Sequence, residues 1–240
     1  MPNDRIERVL AVGAHPDDVE ILCGGTLARF ARMGAKVSII TVMNGDKGAF
    51  DISPKELAEV RRRECLGAAE VIGAEWVGLG VPDGTLVWNE EFHVRMIRAI
   101  QSAQPDLIIT HAPNDYMSDH TETSRAVTNA SFYTVCPQFC SEGGRPTEGV
   151  APVYFMDTVC GVGFQPQEYV DIGDTLATKL EMYARHESQH QYLSEREGLD
   201  FFDVIRTTGR FRGLQCGAQY AEAFRPCGIW PRIACRRHLP

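Results

Sequence analysis

Short apolar runs of strand length alternate with helix-spaced segments along most of the chain, and this alternation constrains the fold more than any other feature. Residues 8–14 (RVLAVGA) read as a strand that ends at His15-Pro16-Asp17-Asp18. From Val19 onward apolar residues recur at helical spacing (Leu22, Cys23, Leu27, Phe30), and Gly34 stands where a helix C-cap glycine belongs. Further strands are expected over residues 36–42, 76–79, 107–110 and 153–157. Further helices are expected over 56–72, 92–103, 121–133 and 175–187. Elements alternating in this way build a parallel sheet covered by helices on both faces. The expected fold class is therefore α/β, a three-layer Rossmann-like fold with a mostly parallel sheet. The stretch 139–152, rich in Gly, Pro and Glu, reads as a surface loop or lid rather than a linker, so residues 1–240 are expected to form a single domain. The tail after Cys216 shows no period and is read as irregular.

Composition excludes several classes. With 240 residues, 44% hydrophobic and 23% charged, the chain has the balance of an ordinary globular protein and not of a disordered, collagenous or coiled-coil one. A net charge of −8, with no Lys/Arg block before the last few residues, argues against a nucleic-acid partner, which needs a basic face to meet phosphates. No apolar run approaches the ~20 residues that span a bilayer. Residues 1–10 are charged and carry no apolar signal region, so a cytoplasmic location is expected. The eight cysteines (Cys23, Cys65, Cys136, Cys140, Cys160, Cys216, Cys227, Cys235) are scattered without a Cys-x-x-Cys pair, the pattern of free thiols in a reducing compartment.

The chemistry concentrates at the strand ends. In open parallel sheets, ligands bind at the C-terminal edge of the strands, where the first strand delivers His15-Pro16-Asp17-Asp18. Pro16 holds His15 extended. Consecutive helical residues point about 100° apart, so Asp17 and Asp18 cannot both face one atom. One can ligate a metal beside His15 while the other faces what that metal binds. The fourth strand ends at Thr110-His111 and leads to His120 on the equivalent edge, next to the first strand. His15, Asp18 and His120 then form a three-ligand site with an open position, which suits zinc and accepts other divalent ions. Zinc would bring the pKa of its water to about 7, and Asp17 is placed to take that proton. Taken singly, Asp17 or Asp18 would read as a helix N-cap and His120 as a loop histidine. The metal reading rests on two His/Asp clusters, each just after a strand, meeting at one edge.

At these residues the sequence resembles the PIG-L/LmbE-like family of zinc-dependent de-N-acetylases. The family opening Ala-His-Pro-Asp-Asp-x-Glu stands at 14–20, followed by Gly24-Gly25-Thr26. Thr41 to Gly45 with Gly48, Arg61-x-x-Glu64, Pro82-Asp83-Gly84, Asn114-Asp115-Tyr116, Asp119-His120, His186-x-Ser188-Gln189 and Tyr220 to Phe224 follow in order. The match runs from about residue 9 to residue 224. The resemblance implies that His15, Asp18 and His120 hold Zn2+, that Asp17 is the general base, that Arg61 and Asp83 meet the substrate, and that Asp115 orients a histidine. It implies a hydrolase that removes the acetyl group from an N-acetylated amino sugar or small glycoconjugate, such as an N-acetylglucosamine unit, and assembles as a homo-oligomer, trimer or hexamer. Many members carry His-x-x-His before the following helix, where the first histidine stabilises the oxyanion or protonates the amine. Here that position is Met117, which can do neither, and His111 and His186 are the candidates to supply the function. Two alternatives remain within the family: an amidase for another acylated amine or a thiol-sugar conjugate, and a metal-binding relative that has lost activity. A nucleotide-binding module would need Gly-x-Gly-x-x-Gly after the first strand, where His-Pro-Asp-Asp would instead repel phosphate.

Overall fold

The computed structural model describes residues 6–232 and 239–240; Cys235 and His238 lie outside the described residues. Seven strands, β1 (Arg8–Gly13), β2 (Lys36–Met43), β3 (Glu75–Val81), β4 (Leu107–Thr110), β5 (Val153–Met156), β6 (Glu168–Asp171) and β7 (Ala221–Pro226), form one sheet in the order β3-β2-β1-β4-β5-β7-β6. The pairs β2–β3, β1–β2, β1–β4 and β4–β5 are parallel, whereas β7 runs antiparallel to both β5 and β6. Helices α1 (Asp18–Arg32), α2 (Pro54–Glu70), α3 (Glu90–Ala103), α4 (Ser118–Tyr133), α5 (Leu176–Ala184), α6 (Glu187–Glu197) and α7 (Phe201–Cys216) complete the α/β fold.

The first strand shows why the sheet is covered twice. Val9 and Ala11 pack into one apolar cluster with Leu27, Phe30 and Tyr183, while Leu10 and Val12 pack into another with Met96, Ile100 and Val127. Side chains alternate across a strand, so a strand buried on both faces is apolar without interruption. The helices start where local chemistry tells them to. α2 opens with a reciprocal Ser53/Glu56 capping box and Pro54 in its first turn, and α3 opens with the Asn89 side chain accepting from the Phe92 N–H.

The C-terminal third departs from the sequence reading. The tail after Cys216, read as irregular, contributes β7, inserted between β5 and β6. The helix expected over 175–187 ends at Ala184, and α6 begins separately at Glu187. Neither α7 nor β6 was anticipated. β7 carries Glu222, Arg225 and Pro226 and so lacks strand-like alternation, while α7 buries Gly209, Arg212 and Gly213 beside a single apolar residue, Ile205. Val170, Ile205 and Phe224 reach the core, but close approaches and ion pairs do much of the packing here and leave only a weak apolar period in the sequence. A Cβ at Gly213 would lie 2.7 Å from the Ala218 carbonyl oxygen, and Arg212 forms a two-pronged pair with Asp157 (2.6 and 3.0 Å). Seven cysteines are free thiols, and among the described residues no helix is long and apolar enough to cross a membrane.

Candidate active site

Because β1 and β4 are neighbours, with Val12 opposite Thr110, the segments that follow them meet above one sheet edge. Asp18, the first residue of α1, lies between three imidazoles. Its Oδ2 is 3.5 Å from His15 Nδ1 and 3.2 Å from His111 Nε2, and its Oδ1 is 3.2 Å from His120 Nε2. The His15 N–H also donates to Asp18 Oδ2 at 2.6 Å, which fixes the carboxylate. His15, Asp18 and His120 offer metal-ligand atoms that all lie within 4.8 Å of one another; His111, Asp115 and His120 form a second, overlapping set. The His111 and His120 rings stack at 3.9 Å.

Two further carboxylates set the orientation of these rings. Asp115 Oδ2 pairs with His120 Nδ1 at 2.9 Å, and Asp119 Oδ2 pairs with His15 Nε2 at 3.1 Å. Each pairing leaves the other ring nitrogen turned toward Asp18, the arrangement by which ligand histidines are held in the correct tautomer. His120 Nε2 is buried and makes no well-aligned hydrogen bond, its nearest polar neighbour being Asp18 Oδ1 at 3.2 Å. Buried polar atoms are rarely left so, and a cation shared with Asp18 would satisfy it. The charges point the same way. Burial by itself would lower the His15 pKa, but hydrogen bonds to Asp119 and Asp18 outweigh it and raise it to about 11. Burial also opposes protonation of His120, yet the charge of Asp18 and the bond to Asp115 lift its pKa to about 9. A pocket that favours imidazolium so strongly is short of positive charge, and a nitrogen/oxygen donor set of this kind fits a divalent ion.

Asp17 occupies the N-cap position of α1 with φ 104° and ψ −24°, in the left-handed region where a non-glycine residue is strained by on the order of 1–3 kcal/mol. Its carboxylate caps nothing, so capping does not explain it. It is buried, with Oδ2 4.0 Å from Arg61 Nη1, and burial pushes its pKa up to about 7 against the pull of that guanidinium. Arg61 is buried on α2 and turned toward Asp17 and the Pro16 carbonyl (3.5 Å). The loop after β2 passes close by because residue 45 is glycine: a Cβ there would lie 3.0 Å from both Arg61 Cγ and Pro16 Cγ. Asp83 accepts from the Gly45 N–H at 2.8 Å, and its own N–H donates to Asp46 Oδ1 at 3.0 Å, so it clamps the loops after β2 and β3 together.

His111 and His186 both lie behind the cluster, fully buried. His111 Nε2 accepts from the Ala14 N–H at 2.9 Å, and burial, helped by His120, lowers its pKa to about 4. His186 stands at the break between α5 and α6, with Nε2 3.4 Å from Glu20 Oε1 on α1; burial would lower its pKa, but the charge of Glu20 outweighs burial and raises it. Met117 is the half-buried N-cap residue of α4, and its N–H donates to Asp115 Oδ1 at 3.0 Å. α4 begins at Ser118, earlier than the sequence indicates, so His120 sits in its first turn rather than in a loop. Asp119 and Glu64 had no role in the sequence reading. Glu64 accepts from both the N–H and the hydroxyl of Ser188 at 2.7 Å, tying α2 to α6. Their signal was present in Asp119-His120 and in Arg61-x-x-Glu64, but His15 and Ser188, with which they pair, lie more than a hundred residues away.

Comparison with known proteins places the chain in a family. The profile of the PIG-L family, GlcNAc-PI de-N-acetylase, matches residues 10–131, about half of the chain. The diacetylchitobiose deacetylase of Thermococcus kodakarensis is 26% identical over 234 residues, covering 93% of this chain and 84% of that protein. The 1D-myo-inositol 2-acetamido-2-deoxy-alpha-D-glucopyranoside deacetylase of Kineococcus radiotolerans is 28% identical, covering 62% of this chain and 50% of its own length; the chain thus spans only half of that relative. Among solved structures, N,N'-diacetylchitobiose deacetylase from Pyrococcus horikoshii, complexed with its inhibitor MPG, superposes with a TM-score of 0.80 at 27% identity over 92% of this chain and 84% of that one. The family profile covers half of the chain, and the chain belongs to the PIG-L family.

Proposed function

We propose that this chain is a metal-dependent amide hydrolase that removes the acetyl group from an N-acetylated amino sugar or small glycoconjugate. One observation carries the reading: His15, Asp18 and His120 converge within 4.8 Å, with a buried His120 nitrogen that makes no well-aligned hydrogen bond, beside a strained, buried Asp17. The relatives support the substrate class, because the deacetylases compared above are named for acetylated amino sugars. His15, Asp18 and His120 would hold the ion, and we assign zinc because two imidazoles and one carboxylate with an open position suit it. Bound there, zinc would supply Lewis acidity to an amide carbonyl and to water. Asp17 takes the proton from the attacking water and can return it to the leaving amine, the step for which Met117 has no chemistry. Arg61 steadies Asp17, and Asp83 holds the substrate-side loops. Asp115 and Asp119 hold the ligand rings, while His111 and His186 brace Ala14 and Glu20 from behind.

The test is free-amine release from N-acetylglucosamine, diacetylchitobiose and N-acetylglucosaminyl glycosides by the purified protein, then after chelation, then with zinc restored. Release that stops on chelation and returns with zinc is expected. One metal ion per chain without release from any of these compounds would overturn the deacetylase reading.

A further inference from the structure

We propose that a cavity between α4 and the β5–β7 strands is a second binding site, for a small organic anion bearing a carboxylate or phosphate. The cavity has a volume of about 750 Å³, within the range of small-molecule sites. Ser124 and Arg125 of α4 line one wall, and Phe155, Gln167 and Arg225 line the other. Arg225 is fixed in place before any ligand arrives. Its guanidinium carbon lies 5.7 Å from the centre of the Phe155 ring and 5.6 Å from that of Phe164, both buried. Its Nη2 donates to Asn114 Oδ1 at 2.9 Å, and among the described residues no carboxylate pairs with it. A guanidinium held between aromatic faces has little freedom left to lose and keeps donors for a planar oxyanion.

The second observation is independent. Ser124 lines the same cavity, and its buried hydroxyl has no hydrogen-bond partner. Such atoms are rare, and an acceptor oxygen in the cavity would satisfy it. Arg125 and Glu122 also line the cavity and lie 3.8 Å apart, so they largely offset each other and Arg225 carries the unpaired positive charge. A cation would be repelled by Arg225, and a purely apolar ligand would leave the Ser124 hydroxyl unpaired. An oxyanion meets both groups.

The site is separate from the metal cluster but close to it in the chain. Pro113 and Thr121 line the cavity, the segment between them carries Asp115 and His120, and Asn114 adjoins Asp115. The anion can therefore be an acidic group on the substrate, which rests on the function proposed above, or a free metabolite.

The experiment is calorimetric titration of the metal-loaded full chain with inorganic phosphate and with glucose 6-phosphate, for the native protein, Arg225→Met and Arg125→Ala. Methionine keeps an apolar filler between the two rings. Saturable one-to-one binding is expected, weakened tenfold or more in R225M and less in R125A, because charge-assisted bonds are the strong ones. Absence of saturable binding overturns the proposal. So does equal binding by R225M, which would place the anion on the metal. If R225M does not fold, R125A carries the test, since its side chain is exposed; undiminished phosphate affinity there also overturns the proposal. KM values for N-acetylglucosamine and its 6-phosphate then separate the sources. A rise in R225M confined to the phosphorylated compound marks a substrate group, and unchanged KM values with lost phosphate binding mark a free anion. A protein with no deacetylase activity would still give the titration result.

Discussion

Two buried clusters of ionisable groups meet α1, one at its first residue and one at Gly25 and Thr26, and they are finished differently. At β7, Glu222 accepts from Lys179 Nζ and from the N–H groups of Gly25 and Thr26 (2.9 and 2.7 Å), so its carboxylate is fully used. The backbone comes this close because residue 25 is glycine; a Cβ there would lie 2.8 Å from Ile172 Cγ2. At the ends of β1 and β4, by contrast, buried His120 Nε2 and His111 Nδ1 make no well-aligned hydrogen bond, and Asp17 is held in a strained backbone. A closed set of donors and acceptors is a bolt between elements. An open set of the same groups, kept open at the expense of backbone strain, is a place for something else to bind.

Substitutions on the two sides should therefore fail in different ways. The largest effect is expected from His120→Ala: metal content falls from one ion per chain toward none, and activity drops on the order of 10³-fold or more, the several kcal/mol that a bound Lewis acid supplies. Its melting temperature should no longer respond to chelation, while that of the native chain falls. A normally metallated H120A protein would remove His120 from the ligand set. Next is Glu222→Ala, which strands the Lys179 ammonium in the interior and should lower stability by about 3–5 kcal/mol in denaturant titration. Chelation should still shift its melting temperature as it does in the native chain. Native-like stability would show that the β7 cluster is not a bolt.

Asp17→Asn should bind metal normally and lose roughly 10²- to 10⁴-fold in kcat, because it removes a base and no ligand. Asparagine tolerates the left-handed region, so the backbone at 17 is kept. Activity within tenfold of native would end the assignment of Asp17. Asp119→Asn acts one step further out, through the His15 ring, and should weaken metal affinity by about 10- to 100-fold in competition with a chelator. Unchanged affinity would mean that His15 is held by other contacts.

The same contrast explains what the sequence disclosed. β1, β2, β4 and β5 are apolar over nearly all their length, and the segments after β1 and β4 carry His15, Asp18 and His120, so the sheet and the meeting of these three residues at its edge were both readable. The strand–helix alternation even implied that β4 would lie beside β1. Asp17 was readable as chemistry but not as strain, because φ 104° follows from tertiary packing and not from residue type. Asp119 was visible beside His120, yet its bond to His15 exists only once β1 pairs with β4. The bolted side was opaque for the opposite reason. Glu222, Lys179, Asp157 and Arg212 look like solvated charges in a sequence, and only the fold shows that they are buried against each other.

The smallest effect is expected at Met117, where this chain departs from the pattern it otherwise follows. The backbone there is extended (φ −93°, ψ 127°), and what that residue gives the cluster is its N–H, which donates to Asp115 and survives any substitution except proline. Met117→His should therefore leave metal affinity and stability unchanged. It would introduce an acid at the position where the family resemblance implies one. If Asp17 already returns the proton to the leaving amine, a second acid shares a step that is not starved of protons. We expect kcat on N-acetylglucosamine to rise by less than about tenfold, with KM unchanged. A gain of about a hundredfold or more would show that amine protonation limits the native chain, and that Asp17 acts as base alone.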